Sequence, residues 1–379
     1  MRVVFLQYMF QNDGSTKAAL ELIRYLSNRG CNFLVIYSRR SEYIEELDCL
    51  GIRHVRIPFL MSSDRGYKGV IRMLYLLLSV VINVIALSAM CITSFFYKPD
   101  IIHTNVSPIH LGYYLSKIMN VPHIWHLREF RYKTALVQPI TSWSYFIKLL
   151  QKSESIATTK ALKEYYGLCK CRVIYDGVIK EKRSRQLTKL EERLNSFLFV
   201  GRVEKSKGIE ILLNSFSKFL KEYSDWQLDV VGCYTEDYYE FLLTKISQLN
   251  IDGHVHFLGV CNDVEQKMAE RKVVVISSLS EGFGYVTVEA MANKCFVIGN
   301  DNTGTQEQLD NAKQIAGYDV AYRFANEYEL LLQMKRFASG DYNCHQNMVD
   351  KAYEIVNDLY CIEQYGTAVL NYYKHIIKS

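Results

Sequence analysis

Strand-patterned and helix-patterned segments alternate through almost the whole chain. Such alternation commits a sequence to parallel sheets with helices on both faces. In the first half, residues 3–7 read as a strand. Residues 15–28 carry apolar side chains at helical spacing (Ala18, Leu22, Tyr25, Leu26) until Gly30 stops the helix. Residues 32–37 are the next strand, 42–50 a helix ending at Gly51, and 54–57 a third strand. Strands at 100–104 and 123–126 then flank a helix at 111–119. The second half repeats the pattern, with strands at 196–203, 227–232, 254–258, 273–277 and 296–299 and helices at 208–223, 237–249, 263–270 and 285–292. Two helical segments, 343–359 and 362–377, close the chain, and the charged stretch 180–193 reads as a linker or interdomain helix. The expected fold is α/β, with two Rossmann-like doubly wound domains. With 379 residues, 49% of them apolar, each domain can bury a core of its own. The expected boundaries are 1–178, 179–358, and a C-terminal helix at 359–379 that crosses back to the first domain.

One segment departs from the alternation. Residues 73–97 carry no charge, between Arg72 and Lys98. That length suits a transmembrane helix. The strand at 100–104, however, must rejoin the sheet that holds 3–7, and a single crossing would leave it on the wrong side of a bilayer. Two readings remain, a buried helix covering the sheet and a helix lying in the membrane interface. Arg65, Lys68 and Arg72 favour the second through attraction to anionic lipid, so a membrane surface is expected as a partner through 65–97. Residues 1–180 hold 23 Lys and Arg against 12 Asp and Glu, whereas the remainder holds 22 against 28. The basic first half therefore suits an anionic partner, whether nucleic acid, a phospholipid surface or a diphosphate-bearing acceptor. The ten cysteines are scattered without zinc spacing and read as free thiols of a reducing compartment. The apolar run at 1–10 is too short for a secretory signal and reads as the first strand, so a cytoplasmic location is expected.

Ligands of doubly wound domains bind at the carboxyl ends of the strands. After the first strand come Gly14, Ser15 and Thr16 at the start of a helix, where backbone amides can meet an anion or sugar hydroxyls; an ordinary capped turn explains them as well. In the second half, Gly201-Arg202 ends a strand and Lys207-Gly208 opens the next helix. Two cations on one such loop can hold a diphosphate, or can simply be surface charges. The run Glu281-Gly282-Phe283-Gly284-Tyr285-Val286-Thr287-Val288-Glu289 passes from a strand into a helix. Its glycines can bring backbone amides to a ligand, Glu289 can accept from a ribose diol, and Glu281 can face sugar hydroxyls. The plain alternative is a turn with two solvated glutamates.

Gly201-Arg202 with Lys207-Gly208, followed by two glutamates with seven residues between them, resembles the retaining glycosyltransferases of family 4, of the bacterial surface-polysaccharide type. Val173 to Val178, Glu289-Ala290-Met291-Ala292 and Gly304-Thr305 before Glu307 carry the same likeness. It covers roughly 173–310 strongly and the first half more weakly. The resemblance implies the GT-B fold, two Rossmann-like domains facing across a cleft, and transfer from a nucleotide diphosphate sugar, with a UDP-sugar favoured. It implies that Arg202 and Lys207 bind the diphosphate without a metal and Glu289 the ribose. Glu281 and the backbone of Phe283, Gly284 and Tyr285 would hold the sugar, with Gly14 near the phosphates. His126 matches a histidine beside the donor sugar, while His103 reads as structural.

Ser15, Arg128, Arg131 and Lys133 are the expected contacts to a glycan or polyprenyl-diphosphate-linked acceptor, and nucleic acid drops out as a partner. Three departures from the family pattern stand out. Gly14-Ser15 replaces paired glycines, Asp176 replaces a common Asn, and Asn293-Lys294-Cys295 replaces a Gly-hydrophobe-Pro; the last two are expected to alter only loop shape. A sugar-nucleotide epimerase on the same fold and a non-catalytic binding protein are the competing readings. The Arg202/Lys207 and Glu281/Glu289 combination disfavours both.

Overall fold

The computed structural model describes residues 1–8, 14–62, 67–130, 142–180 and 188–378. The chain forms two compact units, Met1–Gly177 with Ile362–Ser379, and Val178–Cys361.

The first unit contains β1 (Arg2–Gln7), α1 (Gly14–Ser27), β2 (Asn32–Tyr37), α2 (Tyr43–Cys49), β3 (Arg53–Arg56), α3 (Gly69–Tyr97), β4 (Ile101–Asn105), α4 (Leu111–Met119), β5 (His123–Leu127), α5 (Trp143–Gln151), β6 (Glu154–Ala157), α6 (Lys160–Tyr166) and β7 (Cys171–Val173). Its sheet has the order β3-β2-β1-β4-β5-β6-β7 with every neighbouring pair parallel. A parallel strand covered on both faces reads as a continuous apolar run, and β1 is buried from Val3 to Gln7. Successive side chains point to opposite faces. Val3 and Phe5 accordingly join Leu22 and Leu26 of α1, while Val4 and Leu6 join Ile102, Leu115 of α4, and Ala86 and Met90 of α3.

The second unit contains β8 (Leu194–Val200), α7 (Ile209–Phe219), β9 (Gln227–Val231), α8 (Glu236–Gln248), β10 (Val255–Gly259), α9 (Val264–Glu270), β11 (Arg271–Ile276), α10 (Tyr285–Ala292), β12 (Phe296–Asn300), α11 (Thr303–Ala316), β13 (Tyr322–Phe324), α12 (Glu327–Ala338) and α13 (Tyr342–Leu359). The sheet order is β10-β9-β8-β11-β12-β13, again all parallel. Its core is aromatic, with Phe197 stacked on Trp226 at 4.6 Å between ring centroids and Phe216, Phe219, Phe296 and Phe337 around them. Each such ring contributes about 1.5–3 kcal/mol by leaving water.

The last helix, α14 (Ile362–Lys378), belongs to the first unit, where Tyr365, Val369, Tyr372 and Tyr373 enter the core beside α1. Gly366 permits this contact, since a Cβ there would stand 2.1 Å from Cδ1 of Tyr25.

Both sheets reverse their strand order once, between β1 and β4 and between β8 and β11. At such a reversal the connections leave in opposite directions and open a crevice at the strand ends. The strands β6, β7 and β13 and the helices α5, α6, α11 and α12 are additions to the sequence reading; these strands, of three or four residues, are too short to show a period. Within 180–193 the described residues contain one 3₁₀ turn, Leu190–Glu192, and no α-helix. The uncharged segment is the helix α3, and it is not the buried sheet cover that was one of the two expectations. Only Ser79, Ala86, Met90 and Ser94 along it are buried.

Candidate active site

The crevice of the second unit is built from the loops after β8 and β11. Its backbones approach too closely for side chains. A Cβ on Gly232 would lie 1.7 Å from the Gly201 carbonyl oxygen, and one on Gly208 would lie 2.0 Å from that of Ser277. Gly201, Gly208 and Gly232 all have positive φ, which glycine adopts without strain. The Ser277 hydroxyl donates to the Lys207 carbonyl at 2.8 Å, and the Leu279 amide donates to Ser206 O at 3.0 Å. These bonds tie the two loops together and bring Lys207 Nζ to 2.6 Å from Glu281 Oε1. Both side chains are about one-fifth exposed, so the pair faces an opening. Arg202, on the same loop as Lys207, extends into solvent beside Glu204 at 3.3 Å.

The glutamate loop is braced from α11. The Glu281 amide donates to Thr303 Oγ1 at 2.8 Å, the Gly304 amide donates to Glu281 O at 3.0 Å, and Gln308 Nε2 donates to Phe283 O at 2.6 Å. Gly304 must be glycine for this contact, because a Cβ there would stand 2.6 Å from the Phe283 oxygen. The Phe283 ring is buried against Tyr285 and Tyr360, which leaves its backbone as the part available to a ligand. Gly284 caps α10 in the left-handed region at φ 90°, and Glu289 sits, partly exposed, in the second turn of that helix. The N-termini of α7, α10 and α11 come after β8, β11 and β12, and each carries partial positive charge toward the strand ends. Arg202, Lys207, Glu281 and Glu289 thus all occupy the carboxyl end of one sheet. Sequence reasoning missed Thr303 and Gln308, whose only local signal is a polar residue in the first turns of a helix.

The corresponding place in the first unit is filled instead. The loop after β1 lies outside the described residues up to Gly14, which opens α1. Gln7 Nε2 donates to Thr16 Oγ1 at 2.9 Å, while Asn105 Nδ2 donates to Gln7 Oε1 at 2.5 Å and to the Ser15 carbonyl at 3.2 Å. Arg128 joins this chain through Nε, donating to Asn105 Oδ1 at 2.6 Å. Its remaining nitrogens reach Asp176 Oδ2 and, at 3.0 Å, Tyr365 Oη. Arg128, expected as a contact to an acidic acceptor, is therefore an interior cation. Asp176 is its buried counter-charge rather than a change of loop shape.

His126 is likewise enclosed, with no exposed surface. Tyr373 Oη lies 2.6 Å from His103 Nδ1, and His103 Nε2 lies 3.3 Å from His126 Nδ1. Arg128 Nη2, a donor only, stands 3.5 Å from His126 Nδ1 and makes that atom an acceptor. Both rings then carry their proton on Nε2, and that of His126 points at Asp176 Oδ1, 3.9 Å away. Burial, reinforced by Arg128 and the neighbouring histidine, holds the imidazoles of His103 and His126 well below their ordinary range, so both are neutral at pH 7. Arg131 and Lys133 lie outside the described residues.

The family profile described as glycosyl transferases group 1 matches residues 180–354, nearly the whole of the second unit. The second unit thus resembles the group 1 glycosyl transferases as a domain. Its relatives include proteins named as glycosyltransferases. An uncharacterized glycosyltransferase of Haemophilus influenzae is 31% identical over 41% of this chain and 47% of its own length. One from Methanocaldococcus jannaschii is 28% identical over 73% of this chain and 75% of its own. An N-acetylgalactosamine-N,N'-diacetylbacillosaminyl-diphospho-undecaprenol 4-alpha-N-acetylgalactosaminyltransferase of Campylobacter jejuni is 28% identical over 37% of each chain. The chain thus spans about half or less of two of these three relatives. Among solved structures, HepE of Anabaena in complex with UDP aligns over 99% of this chain and 100% of its own at a TM-score of 0.77 and 18% identity. That likeness is one of fold, the two Rossmann-like domains of GT-B glycosyltransferases. The group 1 domain contains every residue of the β8–β11 crevice, from Gly201 to Gln308, whereas the buried network around Arg128 lies outside it.

Proposed function

We propose that the protein is a retaining, metal-independent glycosyltransferase. It takes a sugar from a nucleotide diphosphate donor, a UDP-sugar in the first instance, and passes it to a glycan or polyprenyl-diphosphate-linked acceptor in surface polysaccharide synthesis. It works in the cytoplasm, at the inner face of the membrane. One observation carries the reading, the Lys207–Glu281 pair held at 2.6 Å where the strand order reverses. A cation at that point neutralises a diphosphate as it leaves. Lys207 exchanges Glu281 for a phosphate oxygen when the donor enters, and Glu281, released, accepts from the sugar hydroxyls. Arg202 closes on the same diphosphate from its exposed position, and Glu289 accepts from the ribose. The anomeric carbon–oxygen bond to the diphosphate breaks as the acceptor oxygen bonds on the same face, and the acceptor proton passes to the departing phosphate. UDP in the HepE complex supports the choice of base, and the diphospho-undecaprenol in the Campylobacter relative's name supports the acceptor class.

A panel of sugar nucleotides read by thermal shift tests the donor, and a UDP-sugar should stabilise the protein more than GDP- or ADP-sugars do. Donor hydrolysis or transfer should then persist in EDTA. Rate lost to the chelator and restored by a divalent metal would refute metal independence. An unchanged midpoint with every sugar nucleotide would refute the donor site itself.

A further inference from the structure

Helix α3 is inside out. Thirteen large apolar side chains along it are each more than half exposed, among them Leu74, Leu78, Val81, Ile85, Ile92 and Phe95. At 100° per residue these six fall on one stripe, interrupted only by Ser88, whose hydroxyl donates back to Val84 O at 3.0 Å. The inward face is mostly small or polar: Ser79, Ala86 and Ser94 are buried with Met90 as the one large side chain among them, and Asn83 bonds both the amide and the carbonyl of Leu60. A helix of 29 residues is about 43 Å long. Its outward stripe exposes on the order of 1,000 Å² of apolar surface, where soluble monomers keep their largest patch to about 300–600 Å².

The topology excludes a span. The strand before α3 pairs with β2 and the strand after it pairs with β1, so both ends of the helix return to one sheet. The stripe therefore lies along the flank of the first unit. Charge decides between a lipid surface and a second copy. No acidic residue occurs between Asp64 and Asp100, while Lys68 and Arg72 stand at one end of the stripe and Lys98 at the other. Pairing two copies, parallel or antiparallel, brings cation against cation at both ends. Lipid phosphates at the edge of an apolar layer neutralise all of them. The Lys68 and Arg72 end is the one on the side of the carboxyl end of β4, because the Ser62 amide, ahead of α3, donates to Pro108 O beyond β4 at 2.8 Å.

We infer that α3 is a monotopic anchor that lies in the interface of an anionic membrane with its Leu74–Phe95 stripe in the acyl region and Lys68, Arg72 and Lys98 at the phosphates. The inference does not depend on the donor chemistry, and its test uses no sugar nucleotide. The full chain is floated with phosphatidylcholine vesicles containing phosphatidylglycerol and with phosphatidylcholine alone. Binding is expected to both, at least tenfold tighter with the anionic lipid, with the preference shrinking in high salt. Changing Leu74, Leu78, Val81 and Ile85 together to Gln should abolish flotation while leaving the thermal midpoint in place. A triple Lys68→Gln, Arg72→Gln, Lys98→Gln variant should keep binding but lose the anionic preference. Wild-type protein that stays at the bottom of the gradient with anionic vesicles would overturn the proposal. So would a dimer in solution that the four-Gln variant dissolves and vesicles do not.

Discussion

The two domains share a sheet order and a reversal point, yet they use the strand ends in opposite ways. In the group 1 domain the ends are open, and glycines bring two loops into contact so that a charged pair faces outward. In the first domain the same region is packed with neutral histidines, amides and a buried ion pair, sealed by tyrosines of α14. One arrangement keeps its charges where a ligand can exchange for them, and the other consumes them internally. In the first domain the filling side chains stand mostly on the strands themselves, Gln7, His103, Asn105 and His126, whereas in the second the loops after β8 and β11 carry the charged pair. Charge removal at the strand ends should therefore cost folding in the first domain and only activity in the second.

The largest effect should come from Arg128→Met. It leaves the carboxylate of Asp176, wholly buried, without its cation, and breaking such a pair costs about 3–5 kcal/mol. Two domains do not unfold as one unit, so amide exchange is the measurement. Protection should fall in β1, β4 and β5 and stay unchanged in β8 and β11. Arg128→Met combined with Asp176→Asn should recover much of the loss, since a neutral pair needs no counter-charge. A double variant no more stable than the single would show that Arg128 acts by packing alone.

Acid should separate the domains next. His103, His123 and His126 of the first domain are fully buried, and burial depresses all three, His123 to about 3 with Lys117 adding to it. Each is neutral when folded and takes a proton when unfolded below its ordinary value near 6.5. The unfolded chain therefore binds more protons, and stability is complete above that value and lost as pH falls. Each costs about 1.4 kcal/mol of stability at pH 5.5, or up to about 4 kcal/mol for the three. The group 1 domain has one histidine shifted the same way, His345, buried beside Tyr322, against three in the first domain. Exchange at pH 7.5 and 5.5 should expose the first domain preferentially. Equal losses in both would remove histidine burial as the reason they differ.

Lys207→Ala should then lower kcat/KM by about 10²–10³, which corresponds to about 2.7–4 kcal/mol of transition-state stabilisation. The midpoint should stay within a degree or two, because Lys207 is one-fifth exposed and bonds only a carboxylate that water can serve. A matching fall in stability would mean that the pair braces the loops and that the open character of this crevice is an illusion of the resting state.

How much of this was legible divides along the same line. The donor-side motif is local: a Gly-Arg pair, a lysine five residues after the arginine, and two glutamates on one strand-to-helix turn each fit within a short window of sequence. The first domain's network is not local. Arg128 meets Asp176 across 48 positions and Tyr365 across 237, and no window of sequence contains both partners. For that reason a buried counter-charge passed for a loop variant, and a buried guanidinium for an acceptor contact. The two faces of α3 were hidden for a different reason. An uncharged helical run has the same composition whether it turns its large side chains inward or outward, and only the sheet it packs on decides.

The smallest effect tests how firmly α14 seals that network. Tyr373→Phe removes one hydroxyl, 2.6 Å from His103 Nδ1, without opening a cavity. The ring nitrogen it leaves is buried and loses its donor, a cost of about 1–2 kcal/mol. With the Tyr373 proton gone, His103 is free to carry its own proton on Nδ1. His103 Nε2 would then have nothing to donate to His126, whose Nδ1 would rely on Arg128 at 3.5 Å. Nitrogen chemical shifts should show His103 on its Nε2–H tautomer in the wild type and moving away from it in Tyr373→Phe. An unaltered tautomer with unaltered stability would mean that the Arg128–Asp176 pair alone organises these strand ends, and that the tyrosine relay from α14 is a passenger.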